Sequence, residues 1–232
     1  AVYVGKSRFN IQEIPDPHPG EGEVLLRVKS TSICGSDLSR SLVDNRPKIF
    51  HAIQGHEFAG EVLENSEGFS AGDRVCVFPA ISCGGCDTCQ RGFDHLCMNL
   101  VFLGIQQNGG FAEKAVVDAQ NLYRLPQELD MKFASLVEPL SVSLHAVRKA
   151  QPAEGETVVI FGFGMIGFFC ASLLRSSGIQ CIFVVEVNPN RLDIARSYGF
   201  EGINPTREDV GTALLRMNGG RLADGVLDCA GQ

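Results

Sequence analysis

A glycine-rich turn between a buried strand and a helix constrains the fold of this chain most strongly. The apolar run TVVIF (157–161) predicts a buried strand, and G-F-G-M-I-G (162–167) follows it directly. In such a turn the first glycine permits a tight bend, the second lets a ligand approach the backbone, and the third lets the helix pack closely on the strand. Glycines in apolar runs also mark close packing alone, so the surrounding sequence has to decide between these interpretations.

Strands and helices alternate after this turn. CIFVVE (181–186) predicts a second buried strand, and Asn188 with Pro189 suits the N-cap and first position of a helix that ends at Gly199. Short strands are predicted within GFEGI (199–203) and DGVLDCA (224–230). This alternation builds a parallel, doubly wound α/β sheet. The dinucleotide-binding form of that sheet has further strands, so we expect an incomplete Rossmann domain here.

The residues after the turn favour dinucleotide binding over close packing alone. An acidic residue, Glu186, closes the second strand at the spacing that the fingerprint requires. A carboxylate at this place accepts hydrogen bonds from the adenosine ribose hydroxyls and repels a 2′-phosphate, which favours NAD over NADP. Arg191, one turn into the next helix, could pair with such a phosphate and counts against that preference. The predicted cofactor-binding residues of the motif are Gly162, Gly164, Met165 and Gly167, followed by Glu186.

The first half of the chain has a different sequence pattern. Short strand-like runs alternate with Pro/Gly clusters, as in PDPHPGEG (15–22), up to about residue 125. From Leu129 onwards, apolar residues recur at three- and four-residue spacing and predict a helix over MKFASLVEPLSVSLHAVRKA (131–150). We therefore expect a β-rich domain over 1–150 and a dinucleotide-binding domain over 151–232. The runs predicted as strands in the first half are 24–30, 58–64, 73–78 and 111–117.

Four cysteines fall within fifteen positions of the first half. Cys83, Cys86, Cys89 and Cys97 have the tight C-x-x-C spacing that lets backbone turns direct several thiolates at one tetrahedral metal. A four-sulfur shell leaves no position for a substrate, so the spacing favours a structural zinc site. An iron–sulfur cluster and a nest of metal-free thiols are the alternatives. His95, inside the same loop, is surplus to a four-cysteine site and is expected at the surface.

Other candidate ligands lie outside this loop. Cys34 occurs in ICGSD (33–37), His56 and Glu57 occur in IQGHEFAG (53–60), and Glu138 occurs in LVEPLS (136–141). No short spacing unites them, and a lone cysteine is usually a small core residue. Residue type and spacing alone therefore leave their grouping undecided.

The order of the motifs resembles that of a known family. ICGSD, GHE, the four-cysteine loop, GGFAE (109–113), EPLSVSLHAV (138–147) and GFGMIG follow one another as in the zinc-dependent medium-chain dehydrogenase/reductase family, nearest its polyol branch. The resemblance implies a GroES-like catalytic domain in which Cys34 and His56 bind a catalytic zinc. It also implies that Glu57 or Glu138 completes the site, and that Ile166, Glu186 and Arg191 contact NAD.

The resemblance further implies a reaction. A hydride would pass between the secondary alcohol of a polyol, sugar phosphate or sugar acid and NAD. Ser36 is the candidate proton acceptor, because a serine hydroxyl both donates and accepts hydrogen bonds; a serine that caps a turn or a helix is the alternative interpretation. Sorbitol dehydrogenases carry histidine and tyrosine where this chain has Ser39 and Arg40, and Arg40 could pair with a phosphate or carboxylate of the substrate. The alternatives are an L-threonine or simple alcohol dehydrogenase, and a non-catalytic protein that binds partners through the cysteine loop.

Charge and composition limit the partners. The formal net charge is -7 and the sequence pI is about 5.2, which argues against a nucleic-acid partner or an anionic membrane surface. Nine cysteines without an export signal indicate reduced thiols and a cytoplasmic protein. We expect a small-molecule substrate and a homo-oligomer, either a dimer or a tetramer.

Overall fold

The structure is a computed structural model that describes residues 1–5, 8–42 and 53–231. The chain divides into two compact units, Ala1–Glu138 and Pro139–Gln232. None of the helices in the described ranges combines the length and the apolar character needed to cross a bilayer.

In its described residues, the first unit is built mainly from short strands and contains two helices. The helices are α1 (Gly35–Leu42) and α2 (Asp87–Gln90), with single turns of 3-10 helix at Asp94–Leu96 and Ala119–Asn121 and a longer one at Met131–Leu136. The strands are β1 (Val2–Gly5), β2 (Arg8–Asn10), β3 (Glu23–Ser32), β4 (Glu57–Val62), β5 (Arg74–Val77), β6 (Ala80–Ile81), β7 (Val101–Phe102), β8 (Lys114–Asp118) and β9 (Leu122–Arg124).

An antiparallel sheet forms the centre of the first unit, with strand order β8-β3-β4-β5-β9. In β3 the side chains of Val24 and Leu26 are fully buried, because alternate residues of a strand point to the same face. Leu26 pairs with Val62 of β4 on one side and Ala115 of β8 on the other. This register places the first residue of β4, Glu57, opposite Ser32, the last residue of β3.

The second unit is a parallel α/β sheet. Its strands β10 (Thr157–Phe161), β11 (Cys181–Val185), β12 (Glu201–Ile203) and β13 (Gly225–Asp228) have the order β12-β11-β10-β13, with every pair parallel. This is one part of the doubly wound order of a dinucleotide-binding sheet, so the predicted fold class is confirmed. The helices are α3 (Val137–Ala150), whose first two residues belong to the first unit, α4 (Met165–Ser176), α5 (Pro189–Ser197) and α6 (Val210–Met217).

Several local expectations need correction. The helix predicted over 131–150 begins as the 3-10 segment Met131–Leu136, and the α-helix starts only at Val137. The strand expected over 111–117 begins at Lys114, because the N–H of Phe111 bonds to the carbonyl of Gln54 instead of continuing the β3 ladder. Helix α1 and the short strands β1, β2, β6, β7 and β9 were not predicted, since their apolar patterns are too short to show a period.

Candidate metal centres and cofactor site

Three of the candidate ligands converge in the first unit. Cys34 precedes α1, and His56 with Glu57 lies at the start of β4. One donor atom from each of these residues lies within 4.8 Å of the other two. Gly55 has φ 95°, and a Cβ there would lie 2.5 Å from the ring of Phe111, so the turn that delivers His56 requires glycine.

The imidazole ring of His56 lies beside a carboxylate. The Nδ1 atom lies 3.4 Å from Oδ1 of Asp37, while Oδ2 of Asp37 accepts a hydrogen bond from the backbone N–H of Cys34 at 3.0 Å. His56 and Asp37 are both buried. Burial lowers the pKa of His56, but the side chains of Asp37 and Cys34 outweigh this and raise it to about 10. With Nδ1 facing Asp37, the other ring nitrogen, Nε2, is the one left for a ligand or metal.

The other two donors, Cys34 and Glu57, also interact with neighbouring residues. His56 lowers the pKa of the Cys34 thiol, and Ser36 adds to this effect, although burial opposes it. The buried carboxylate of Glu57 accepts a hydrogen bond from the hydroxyl of Ser32 at 2.5 Å. The sulfur, nitrogen and oxygen donors of this set are those that zinc prefers, so the residues present fit a zinc ion.

Glu138 is near this set but not within it. It lies in the first turn of α3 and does not join Cys34, His56 and Glu57 in the group of mutually close donors found among the described residues. Burial raises the pKa of Glu138, and the charge of Glu57 raises it further, while His56 opposes them. Among the described residues, the group of mutually close donors therefore includes Glu57 and not Glu138.

The four cysteines of the loop meet as well. Their Sγ atoms lie within 4.8 Å of one another, with Cys86 3.4 Å from Cys89 and 3.9 Å from Cys97. A tetrahedral zinc with Zn–S bonds of about 2.3 Å places its sulfurs about 3.8 Å apart, so the spacing fits one zinc with a closed shell. His95 is exposed, as expected.

The glycine turn of the second unit leads into α4. Gly164 is the N-cap of this helix, followed by Met165, which is half-exposed, and Ile166, which is partly buried. A Cβ on Gly167 would lie 2.0 Å from the carbonyl oxygen of Gly162, so no side chain fits at this position. The free N–H groups of the first turn of α4 can bind an anion such as a pyrophosphate.

Glu186 lies directly after β11, next to this turn. Its two carboxylate oxygens accept hydrogen bonds at 2.8 Å from the backbone N–H groups of Phe163 and Asn188. A guanidinium nitrogen of Arg191 lies 3.8 Å from the same carboxylate. Burial acts to raise the pKa of Glu186, but these N–H groups and Arg191 outweigh burial and lower it. The carboxylate is therefore held in its ionised form at the edge of the turn.

Comparison with known proteins identifies the family. Residues 20–127 match the alcohol dehydrogenase GroES-like domain. The chain is 38% identical over 236 residues to a 2-dehydro-3-deoxy-L-galactonate 5-dehydrogenase of Pseudoalteromonas atlantica, covering 100% of this chain and 69% of that protein. This chain belongs to the zinc-dependent medium-chain dehydrogenase/reductase family. An L-threonine 3-dehydrogenase of Pyrococcus horikoshii is 38% identical over 94% of this chain and 65% of its own length. The chain thus spans about two thirds of the curated relatives that it matches.

Solved structures of this family agree. A protein from Escherichia coli that is described as a short chain alcohol dehydrogenase, complexed with NADH, superimposes with a TM-score of 0.89 at 30% identity, covering 100% of this chain and 68% of that one. A zinc-binding dehydrogenase from Sinorhizobium meliloti bound to NADP gives a TM-score of 0.90 at 30% identity, covering 100% and 69%. Members of the dehydrogenase family with this fold therefore hold either form of the nicotinamide cofactor.

Two residues that contact the candidate ligands were missed from the sequence. Asp37 contacts His56 and the backbone of Cys34, and Ser32 donates to Glu57. Asp37 stands three residues after Cys34, which is the spacing at which a side chain in the first turn of a helix accepts the N–H of the residue that precedes the helix. That signal was available, but the contact with His56 depends on the fold. Nothing in the sequence around Ser32 indicates its contact with Glu57, because only the register of β3 and β4 brings the two residues together.

Proposed function

We propose that this chain forms the zinc-binding and most of the cofactor-binding part of a dehydrogenase that acts on a secondary alcohol of a sugar-derived compound. The observation that carries the proposal is the convergence of Cys34, His56 and Glu57 within 4.8 Å of one another. Three protein donors of this kind leave a fourth position for a substrate oxygen, which distinguishes a catalytic zinc site from the closed shell of the cysteine loop.

The first unit would supply the ligands and their support. Cys34 and His56 would hold the zinc, and the short distances favour Glu57 as the acidic donor, with Glu138 close by. Asp37 would keep Nε2 of His56 directed at the metal, and Ser32 would fix the Glu57 carboxylate. When bound, zinc supplies a Lewis acid that lowers the pKa of a coordinated hydroxyl.

Ser36 would accept the proton that the substrate hydroxyl releases. Its side chain interacts with the sulfur of Cys34, so it lies beside the metal position. A serine hydroxyl both donates and accepts hydrogen bonds, and Ser36 can therefore take a proton from a substrate hydroxyl and pass its own to water. This role is independent of which glutamate binds the metal.

The second unit would bind the nicotinamide cofactor, which accepts the hydride. The turn at Gly162, Gly164, Met165, Ile166 and Gly167 would receive the pyrophosphate at the start of α4. The ionised Glu186 supports NAD, because its charge repels a 2′-phosphate. Arg191 lies within 3.8 Å of Glu186, where the acid neutralises much of its attraction for a phosphate.

A sugar acid is the substrate class that we favour within the polyol, sugar-phosphate and sugar-acid group. The relative from P. atlantica that covers the whole chain is named for a deoxygalactonate, which is a sugar acid. The side chain of Arg40, predicted to pair with a substrate anion, lies outside the described residues, whereas Ser39 is exposed and donates to the carbonyl of Ser36. L-threonine is the second candidate, supported by the relative from P. horikoshii.

Activity and metal content of the full-length protein test the proposal. We expect two zinc ions per chain and reduction of NAD with one or more of a panel of sugar acids, polyols, sugar phosphates and L-threonine. Cys34→Ser should abolish turnover and remove one zinc while leaving NAD binding nearly unchanged. Unaltered turnover in that variant would exclude this metal centre from the reaction. The predicted homo-oligomer and cytoplasmic location stay predictions, to be tested by light scattering and by cell fractionation.

A further inference from the structure

The four sulfurs of the cysteine loop (residues 83–97) differ in their access to solvent. Cys89 and Cys97 are only 8% and 7% exposed, Cys86 is half-buried, and Cys83 is exposed. A metal in a closed four-ligand shell can leave only after one ligand detaches. Water or a competing chelator reaches the exposed ligand first, so Cys83 is the place where the shell can open.

The four sulfurs also differ in what holds them. Cys97 Sγ accepts hydrogen bonds from two backbone N–H groups, those of Cys83 and Asn99, each at 3.3 Å. Cys86 Sγ lies 3.1 Å from the hydroxyl of Thr88. Cys83 Sγ lies 3.7 Å from the side-chain amide nitrogen of Asn99, and the backbone N–H groups of Gly85 and Cys86 also approach it. The side-chain donor to the exposed sulfur is thus the amide of Asn99.

Asn99 connects the two ends of the loop. Its backbone N–H donates to the last cysteine, Cys97, and its side-chain amide donates to the first, Cys83, which lies sixteen positions before Asn99. One residue therefore holds the exposed sulfur against a buried one. Hydrogen bonds that orient metal ligands typically change metal affinity by 10–100-fold when they are removed.

We propose that Cys83 is the labile zinc ligand of the loop and that Asn99 is the positioning residue that keeps it on the metal. The inference rests on the proposed structural zinc but concerns the order in which its ligands detach. Because Asn99 is itself exposed and its bond is long, we expect an effect near the lower end of that range, about tenfold.

The test uses the zinc-loaded full-length protein that carries Cys34→Ser. This substitution should remove the zinc held by Cys34, His56 and Glu57, so the measured zinc comes from the cysteine loop. Zinc transfer to a colorimetric chelator is timed, and the order in which iodoacetamide alkylates the cysteines is read by peptide mass mapping. We expect Cys83 to react first among the four. Asn99→Asp, which keeps the size but replaces the donor by an acceptor, should speed both zinc loss and alkylation of Cys83 about tenfold. Met98→Ala, which removes an 83% exposed neighbour, should change neither rate.

Two results would overturn the inference while leaving the proposed zinc site of the loop in place. One is alkylation of Cys86, Cys89 or Cys97 before Cys83 in the protein with Asn99 intact. The other is a zinc-loss rate for Asn99→Asp that stays within twofold of the rate of the Cys34→Ser protein. Aspartate has the same size as asparagine, so that result would show that Asn99 acts through packing and not through its hydrogen bond. A protein with Cys34→Ser that carries no zinc at all would instead refute the proposed zinc site of the loop, and the inference with it.

Discussion

Replacing Glu186 by glutamine separates a folding role of this residue from its proposed role in cofactor binding. The carboxylate is 5% exposed and accepts two N–H groups at 2.8 Å, from Phe163 and Asn188. Glutamine has one oxygen, so one N–H keeps an acceptor and the other faces an amide NH2 group. A hydrogen bond to a charged group contributes about 1.5–3 kcal/mol, and a buried unpaired donor costs about 1–3 kcal/mol. We expect Glu186→Gln to lower the free energy of unfolding by about 2–4 kcal/mol near neutral pH.

The effect should depend on pH in a stated direction. Because the pKa of Glu186 is lower in the folded chain, its ionised form stabilises the fold above the unfolded pKa of about 4.3. That contribution is lost as the pH falls through the folded pKa. Glutamine does not titrate, so the difference in unfolding free energy between the two proteins should narrow as the pH is lowered below about 4.3.

Urea unfolding in the absence of cofactor measures this effect over a pH series. Glu201→Gln is the matched control, because Glu201 is an exposed residue of β12 in the same unit, and we expect a change within about 0.5 kcal/mol. Equal stability of Glu186→Gln and the parent near neutral pH would refute the argument. A difference that grows towards acid pH would refute its electrostatic part.

Three further substitutions test the sites. Cys89→Ser should remove the zinc of the loop and lower the melting temperature, and an unchanged melting temperature would contradict a structural metal. Asp37→Asn should weaken zinc binding at His56 about 10–100-fold in a competition titration with a chelator, whereas equal affinity would show that Asp37 does not orient the ring. Gly167→Ala should abolish NADH binding, because the added Cβ would lie 2.0 Å from the carbonyl oxygen of Gly162. The fluorescence of NADH measures this binding. Gly225→Ala, with an ordinary 3.7 Å contact, is the control and should bind normally.

Features encoded by neighbouring residues were predicted well. Asn188 and Pro189 cap and start α5 as expected, and the side chain of Asn188 accepts the N–H of Asn190. The strands of the second unit follow the apolar runs because a strand buried on both faces needs no alternation to be recognised. The four cysteines at short spacing likewise bring their sulfurs within 4.8 Å of one another, since the turns between them limit how far the sulfurs can separate.

Features that depend on distant contacts were not predictable from local pattern. Helix α1 leaves Leu38 and Leu42 exposed, so it lacks the buried apolar stripe by which short helices are recognised. Its function in the fold is to place Asp37 between the backbone of Cys34 and the ring of His56. The latter contact joins residues from two separate elements, and neither element alone carries a sign of it.

The residues and spacings of the chain by themselves determined the parallel sheet, the glycine turn and the four-cysteine loop, because each is built from residues a few positions apart. Only the tertiary structure showed that donor atoms of Cys34, His56 and Glu57 lie within 4.8 Å of one another, that Glu138 does not join this group among the described residues, and that Asp37 and Ser32 contact it. The physical reason is the pairing of β3 with β4, which brings residues more than twenty positions apart into contact. Such pairing is set by the burial of a whole sheet rather than by any short segment of the sequence.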